Sequence, residues 1–150
     1  MPNPAIDIPN LEYRYGAAID AGDFETAAAM FDHGHLLAEG HRIAGAHAIM
    51  AMWRGVMRIY EDGTPRCRHL ITNPIIELDA GGETARCHAI WTVLQQVDEN
   101  ALQPVATGGY DDRFAIIDGA WRFTEKHYTG IDLHGDLSGH LIRPAAGVEL

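Results

Sequence analysis

Two aspartates three residues apart raise the first question of chemistry, in YGAAIDAGDFETAAAMF (residues 15–31). Asp23 has a local task. It precedes Phe24-Glu25-Thr26-Ala27, the start of an alanine-rich helix, and caps the free N–H groups of its first turn. Asp20 has no such task. It falls in the last turn of the preceding helix, just before a glycine C-cap at Gly22, so its carboxylate faces the negative end of the helix dipole. That misfit is worth up to about 1 kcal/mol. A carboxylate kept there is either a solvated acid at a helix end or a group with chemical work. A second constellation is HGHLLAE, which offers His33, His35 and Glu39. Strand residues two apart share a face, so two imidazoles there could ligate one ion. Gly34 between them favours a turn, however, and no second histidine motif follows, so no metal is expected. No phosphate loop, dinucleotide fingerprint, GxSxG elbow or HExxH motif occurs, which leaves kinase, dehydrogenase, serine-hydrolase and zincin readings without support.

The chain that must position these groups has 150 residues, 47% of them hydrophobic, enough for one domain with its own core. Its 21 acidic against 11 basic residues give a net charge of −10, which repels phosphate backbones and anionic lipid. Neither a nucleic-acid nor a membrane partner is therefore expected. Cys67 and Cys87 lack CxxC spacing and read as reduced and buried. MPNPAIDIPN has neither the basic nor the apolar region of a signal peptide, and no apolar run reaches the roughly 20 residues of a span. A cytoplasmic protein is the expectation.

Residues 1–9 hold three prolines and read as an irregular lead-in. Asn10 is placed to cap a helix that turns Leu11, Tyr15, Ala18 and Ile19 to one side. The short Asp23-capped helix follows, then two extended pieces around Glu39-Gly40. Ile49, Trp53, Val56 and Tyr60 predict a helix over 46–60, stopped by EDGTP. Next come four long strand-like runs. CRHLITNPIIELD and TARCHAIWTVLQQVD are joined by AGGE; VATGGYDDRFAII and AWRFTEKHYTGIDL are joined by Asp118-Gly119, a strong hairpin signal. Pro74 marks an edge position or a bulge. With a two-residue turn at Asp118-Gly119, Lys126 falls opposite Asp111, which predicts a cross-strand ion pair. Helices first and strands second argue an α+β fold, with three N-terminal helices on one face of a curved antiparallel sheet. The domain is expected over 10–142, with 143–150 a flexible tail.

In this order, AAIDAGDFETAAAMF, RIAGAHAI, RHLITNPIIELD and GGYDDRFAIIDGAWRFTEKH resemble the SnoaL-like branch of the nuclear transport factor 2-like superfamily. The resemblance implies a cone: a bent sheet wrapped by helices around an apolar pocket. Within the branch the chain looks most like the cofactor-free lyases lindane dehydrochlorinase, scytalone dehydratase and bile-acid 7α-dehydratase. It implies that Asp20 supports His69, in CRHLITNP, as general base, and that Tyr15, five residues before Asp20, is a hydrogen-bond donor to the leaving group. Lys126 stands where the lindane and bile-acid enzymes have an arginine, although a lysine cannot make the planar two-pronged contact. Trp53, His88, Ile90 and Phe114 are the candidate substrate-binding residues. Each has a structural alternative, Tyr15, Trp53 and Phe114 as core and Lys126 as an ion pair.

Elimination from carbon needs a base for the C–H proton and a donor for the leaving group. Histidine suits the first task, and a carboxylate on one ring nitrogen fixes the tautomer and stabilises the imidazolium that forms. The expected activity is a lyase or dehydratase reaction on a hydrophobic cyclic or aromatic small molecule, without a cofactor. Isomerase or polyketide-cyclase chemistry on the same dyad, or a non-catalytic binding or assembly role, are the alternatives. The resemblance also implies self-association through the outer sheet face, as a homotrimer first and a dimer second.

Overall fold

The computed structural model describes residues 1–144. Its first helix, α1 (Pro4–Asp20), begins well before Asn10. The Asn3 side chain accepts from the Ala5 N–H at 3.1 Å, and the Asp7 carboxylate accepts from the Asn3 N–H at 2.7 Å. Pro4 takes the first helical position, where a missing N–H costs nothing. The expected irregular lead-in over 1–9 is corrected accordingly: reciprocal capping at Asn3 turns a proline-rich segment into a helix start. At the other end Gly22 adopts φ +71, its N–H bonds Ile19 O, and the Asp23 N–H bonds Ala18 O, both at 2.9 Å. A Cβ at Gly22 would stand 2.0 Å from Gly63 O, so only glycine fits this cap. Asp23 then caps α2 (Phe24–Ala29) through the Thr26 N–H at 3.1 Å.

β1 (His35–Ala38) and β2 (His41–Ile43) form a tight hairpin whose turn residues Glu39 and Gly40 both have positive φ. α3 (Ala46–Val56) stops short of Tyr60, because Met57 turns to extended backbone and bridges to Leu141. The four long strands are β3 (Cys67–Leu78), β4 (Thr84–Gln95), β5 (Gln103–Ile117) and β6 (Ala120–His134), an antiparallel meander as expected. Among the described residues the sheet has six strands in the order β2-β1-β6-β5-β4-β3. β1 runs parallel to β6, so the sheet is mixed rather than wholly antiparallel. No tight turn joins those two strands, and none therefore dictates an antiparallel pairing.

Bulges bend the sheet. On β3 the register shifts between Thr72 and Ile75, with Asn73 at φ 53 beside Pro74, and β3 is also an edge strand. Both readings of Pro74 hold. The concave face meets the helices over a core that includes Tyr15, Ile19, Phe31, Trp53 and Phe123. A second cluster, of Cys67, Val93, Val105, Ala106, Leu137 and Leu141, holds the segment after β6 against the sheet. Of the expected flexible tail, 145–150 lie outside the described residues.

Candidate active site

Asp20, the last residue of α1, reaches the inward face of β3. One turn earlier, Gly16 lets the helix press onto that strand: a Cβ there would lie 3.2 Å from Ile71 Cδ1 and 3.4 Å from His69 Cβ. Residues four apart share a helix face, so the same approach delivers Asp20. Strand alternation turns Cys67, His69 and Ile71 inward. Because β3 is an edge strand, backbone N–H groups on its outer side lack a strand partner. Asp20 Oδ2 accepts from the His69 N–H at 2.8 Å, and Asp20 Oδ1 meets His69 Nδ1 at 2.6 Å. The His69 and Asp20 side chains keep only 9% and 6% of their exposure, so the bond is weakly screened. An ionised carboxylate only accepts; Nδ1 therefore carries the hydrogen, and Nε2 keeps a free lone pair. The Cys67 thiol donates to Asp20 Oδ1 at 3.5 Å. Burial pushes that thiol up, and the Asp20 charge adds to the shift, so Cys67 remains a donor. These contacts answer the helix-dipole misfit of Asp20.

Tyr15 sits deeper. Its hydroxyl shares a 2.6 Å hydrogen bond with the Tyr128 hydroxyl, which also accepts from Trp53 Nε1 at 3.2 Å. Burial first, then Tyr128 and Tyr110, hold the Tyr15 hydroxyl well above its ordinary pKa. Tyr128 escaped the sequence reading, although it shares the inward face of β6 with Lys126. Lys126 is fully buried: its ammonium donates to Glu12 Oε2 at 2.9 Å and Asp112 Oδ2 at 2.6 Å, and lies 3.4 Å from the Tyr110 ring centroid. Burial opposes its charge, but Asp112 and Glu12 outweigh that and hold the pKa above the usual lysine value. The expected pairing with Asp111 is corrected. Phe114 pairs Phe123 while Arg113 pairs Glu125, so Thr124 bulges out and Lys126 moves opposite Asp112. Asp111 instead takes both prongs of Arg86, at 2.5 and 2.7 Å.

The four candidate substrate-binding residues divide. Trp53 and Phe114 are core, 3% and 1% exposed. His88 and Ile90 are corrected: on β4 the inward residues are Cys87, Ala89 and Trp91, so strand parity sends His88 and Ile90 to the outer face. His88 there approaches Asp111 at 3.8 Å. Two surface clefts, of about 340 and 470 Å³, lie elsewhere, the first beside Arg14 and Trp121, the second beside Arg86 and Phe114. Neither is lined by Asp20 or His69.

Asp20, Cys67 and His69 bring one donor atom each within 4.8 Å of one another, a set that could hold a metal. The 2.6 Å approach of Asp20 to His69 is a hydrogen-bond length, whereas ligands about 2 Å from a tetrahedral ion stand more than about 3 Å apart. The donors as placed therefore fit hydrogen bonds better than an ion. His33, His35 and Glu39 do not form such a set among the described residues; His35 Nε2 bonds Glu125 Oε2 at 2.8 Å.

One residue near the dyad was missed outright. His140, on the segment after β6, is 7% exposed, and its Nδ1 has no hydrogen-bond partner among the described residues. Burial pushes its pKa down to about 4, the His69 charge adds to the fall, and Asp20 partly opposes it. The sequence gives little signal at this position: SGHLIRP carries no periodicity that would aim a histidine at β3.

The chain belongs to the SnoaL-like domain family, which matches residues 6–127. The sequence matches no curated protein. Among similar solved structures is a variant of Rv3472, a protein of unknown function from Mycobacterium tuberculosis, 27% identical, with TM-score 0.67 over 85% of this chain and 71% of that one. An NTF2-like protein with a cystatin-like fold from Novosphingobium aromaticivorans is 20% identical, with TM-score 0.66 over 81% and 78%. A candidate scytalone dehydratase from the same organism is 19% identical, with TM-score 0.67 over 93% and 89%. The latter two are likenesses of fold.

Proposed function

We propose that this chain is a cofactor-independent lyase of the dehydratase type, acting on a hydrophobic cyclic or aromatic small molecule, with His69 as general base and Asp20 as its support. The observation that carries the reading is the 2.6 Å bond from Asp20 to His69 Nδ1, made by a carboxylate that also holds the same residue's backbone N–H. His69 Nε2 takes the proton from carbon, and the electron pair of that bond moves toward the substrate carbonyl to form an enolate. The enolate expels the neighbouring hydroxyl, which takes the proton back from His69 and leaves as water. Asp20 stabilises the imidazolium between the two transfers. Tyr15, protonated within its hydroxyl network, is the proposed donor to oxygen. Lys126 has its ammonium bound by two carboxylates, which favours a structural role. Isomerase or cyclase chemistry would begin with the same proton removal.

A panel of cyclic β-hydroxy ketones followed by proton NMR in deuterated water reads both elimination and exchange of the acidic C–H. His69→Ala should abolish both, and Asp20→Asn should lower them by about 100-fold or more. Folded variants that retain wild-type rates would sink the mechanism.

A further inference from the structure

His140 has no part in the proton transfer described above, yet its burial is costly. A ring nitrogen sealed from water without a partner forfeits a hydrogen bond that any exposed histidine would make. The fold goes to some length to keep it there. The segment around it is pinned at several points: Arg58 N–H donates to His140 O at 2.8 Å, and Gln95 Nε2 and Tyr60 Oη donate to Gly139 O at 2.9 and 2.6 Å. Leu137 and Leu141, on either side, are 1% and 6% exposed and pack in the cluster that contains Cys67. Cys67 in turn touches Asp20, and the charges that His140 feels are those of His69 and Asp20. The segment is thus anchored by its leucines and its backbone, while the imidazole between them is left unsatisfied beside the dyad.

We propose that His140 is a second hydrogen-bonding group of the active site, whose Nδ1–H meets an oxygen of the bound substrate next to the carbon that His69 deprotonates. This rests on the reading of His69 as base and narrows the substrate to a compound with a carbonyl or enol oxygen beside the acidic C–H. As charge moves onto that oxygen, the hydrogen bond strengthens. The depressed pKa keeps the imidazole neutral, so it donates without adding a second positive charge that would oppose protonation of His69. The charged groups acting on its ring are Asp20 from α1 and His69 from β3, while the Arg58 N–H holds its carbonyl and Gln95 and Tyr60 hold the carbonyl of Gly139 beside it.

The test uses 4-nitrophenol, whose ring-borne oxygen imitates an enolate and whose absorbance reports ionisation. Wild type should bind it saturably. His140→Leu should weaken binding about tenfold, and His140→Asn, which returns an amide near the Nδ1 position, should restore it to within about threefold. Near-UV circular dichroism establishes that both variants are folded. Wild-type binding by His140→Leu overturns the assignment, as does an equal loss in folded His140→Asn or no uptake of 4-nitrophenol by wild type. The exchange experiment in deuterated water separates this from the base itself: if His69→Ala stops exchange while His140→Leu binds normally, His140 falls and His69 stands.

Discussion

Replacing Lys126 by methionine removes the ammonium that lies between Glu12 and Asp112 and leaves two carboxylates buried together. Breaking a buried pair in this way costs about 3–5 kcal/mol, so Lys126→Met should lower the denaturant midpoint sharply. A merely catalytic lysine would leave that midpoint unmoved. His140 makes a prediction of opposite kind, read in pH. Its folded pKa of about 4 lies below the ordinary 6.5 because burial and His69 disfavour the cation. The neutral ring's contribution is complete above pH 6.5 and is withdrawn as pH falls toward 4, since the unfolded chain takes a proton that the folded one refuses. Over that window the loss amounts to about 3 kcal/mol. Stability measured against pH should therefore fall less steeply in His140→Leu than in wild type between those limits; identical slopes would remove the buried neutral imidazole from the account.

Among the elements, the contact of α1 with β3 sets the dyad. Gly16→Ala needs only a small shift of the Ile71 side-chain tip, whereas Gly16→Val puts branches against His69 Cβ and should lever the helix off the strand. The expected readout is loss of the Asp20-bonded Nδ1 proton of His69 in NMR spectra of folded Gly16→Val, with Gly16→Ala keeping it. Much of this level was legible in the sequence because its signals are local. Asp23 caps α2, and Asp118-Gly119 makes the last hairpin turn, each through neighbours a few residues away. The parallel pairing of β1 with β6 was not legible, and neither was the Thr124 bulge that hands Lys126 from Asp111 to Asp112. The first depends on which distant strand lies alongside; the second is a register shift inside a hairpin whose turn residues give no sign of it. The pairing of Asp20 with His69 came only through family likeness, since nothing in their spacing joins residues so far apart in the chain. His140 left no local trace at all.

For the molecule as a whole, the outer face of β3 and β4 carries Leu70, Ile75 and Ile90, which are 45%, 62% and 42% exposed. We propose that the chain self-associates through this face, as a homotrimer first and a dimer second. Sedimentation equilibrium should find that assembly in wild type and a monomer in Ile75→Lys; a wild-type monomer at micromolar concentration would overturn it. β3 thereby serves two surfaces, for its odd residues from Cys67 to Ile71 look inward at Asp20 while Leu70 looks out. A strand shared in this way has no neutral side on which to loosen. Dilution that frees its back would also relieve the front of its support, so turnover per chain should decline with protein concentration before any helix melts.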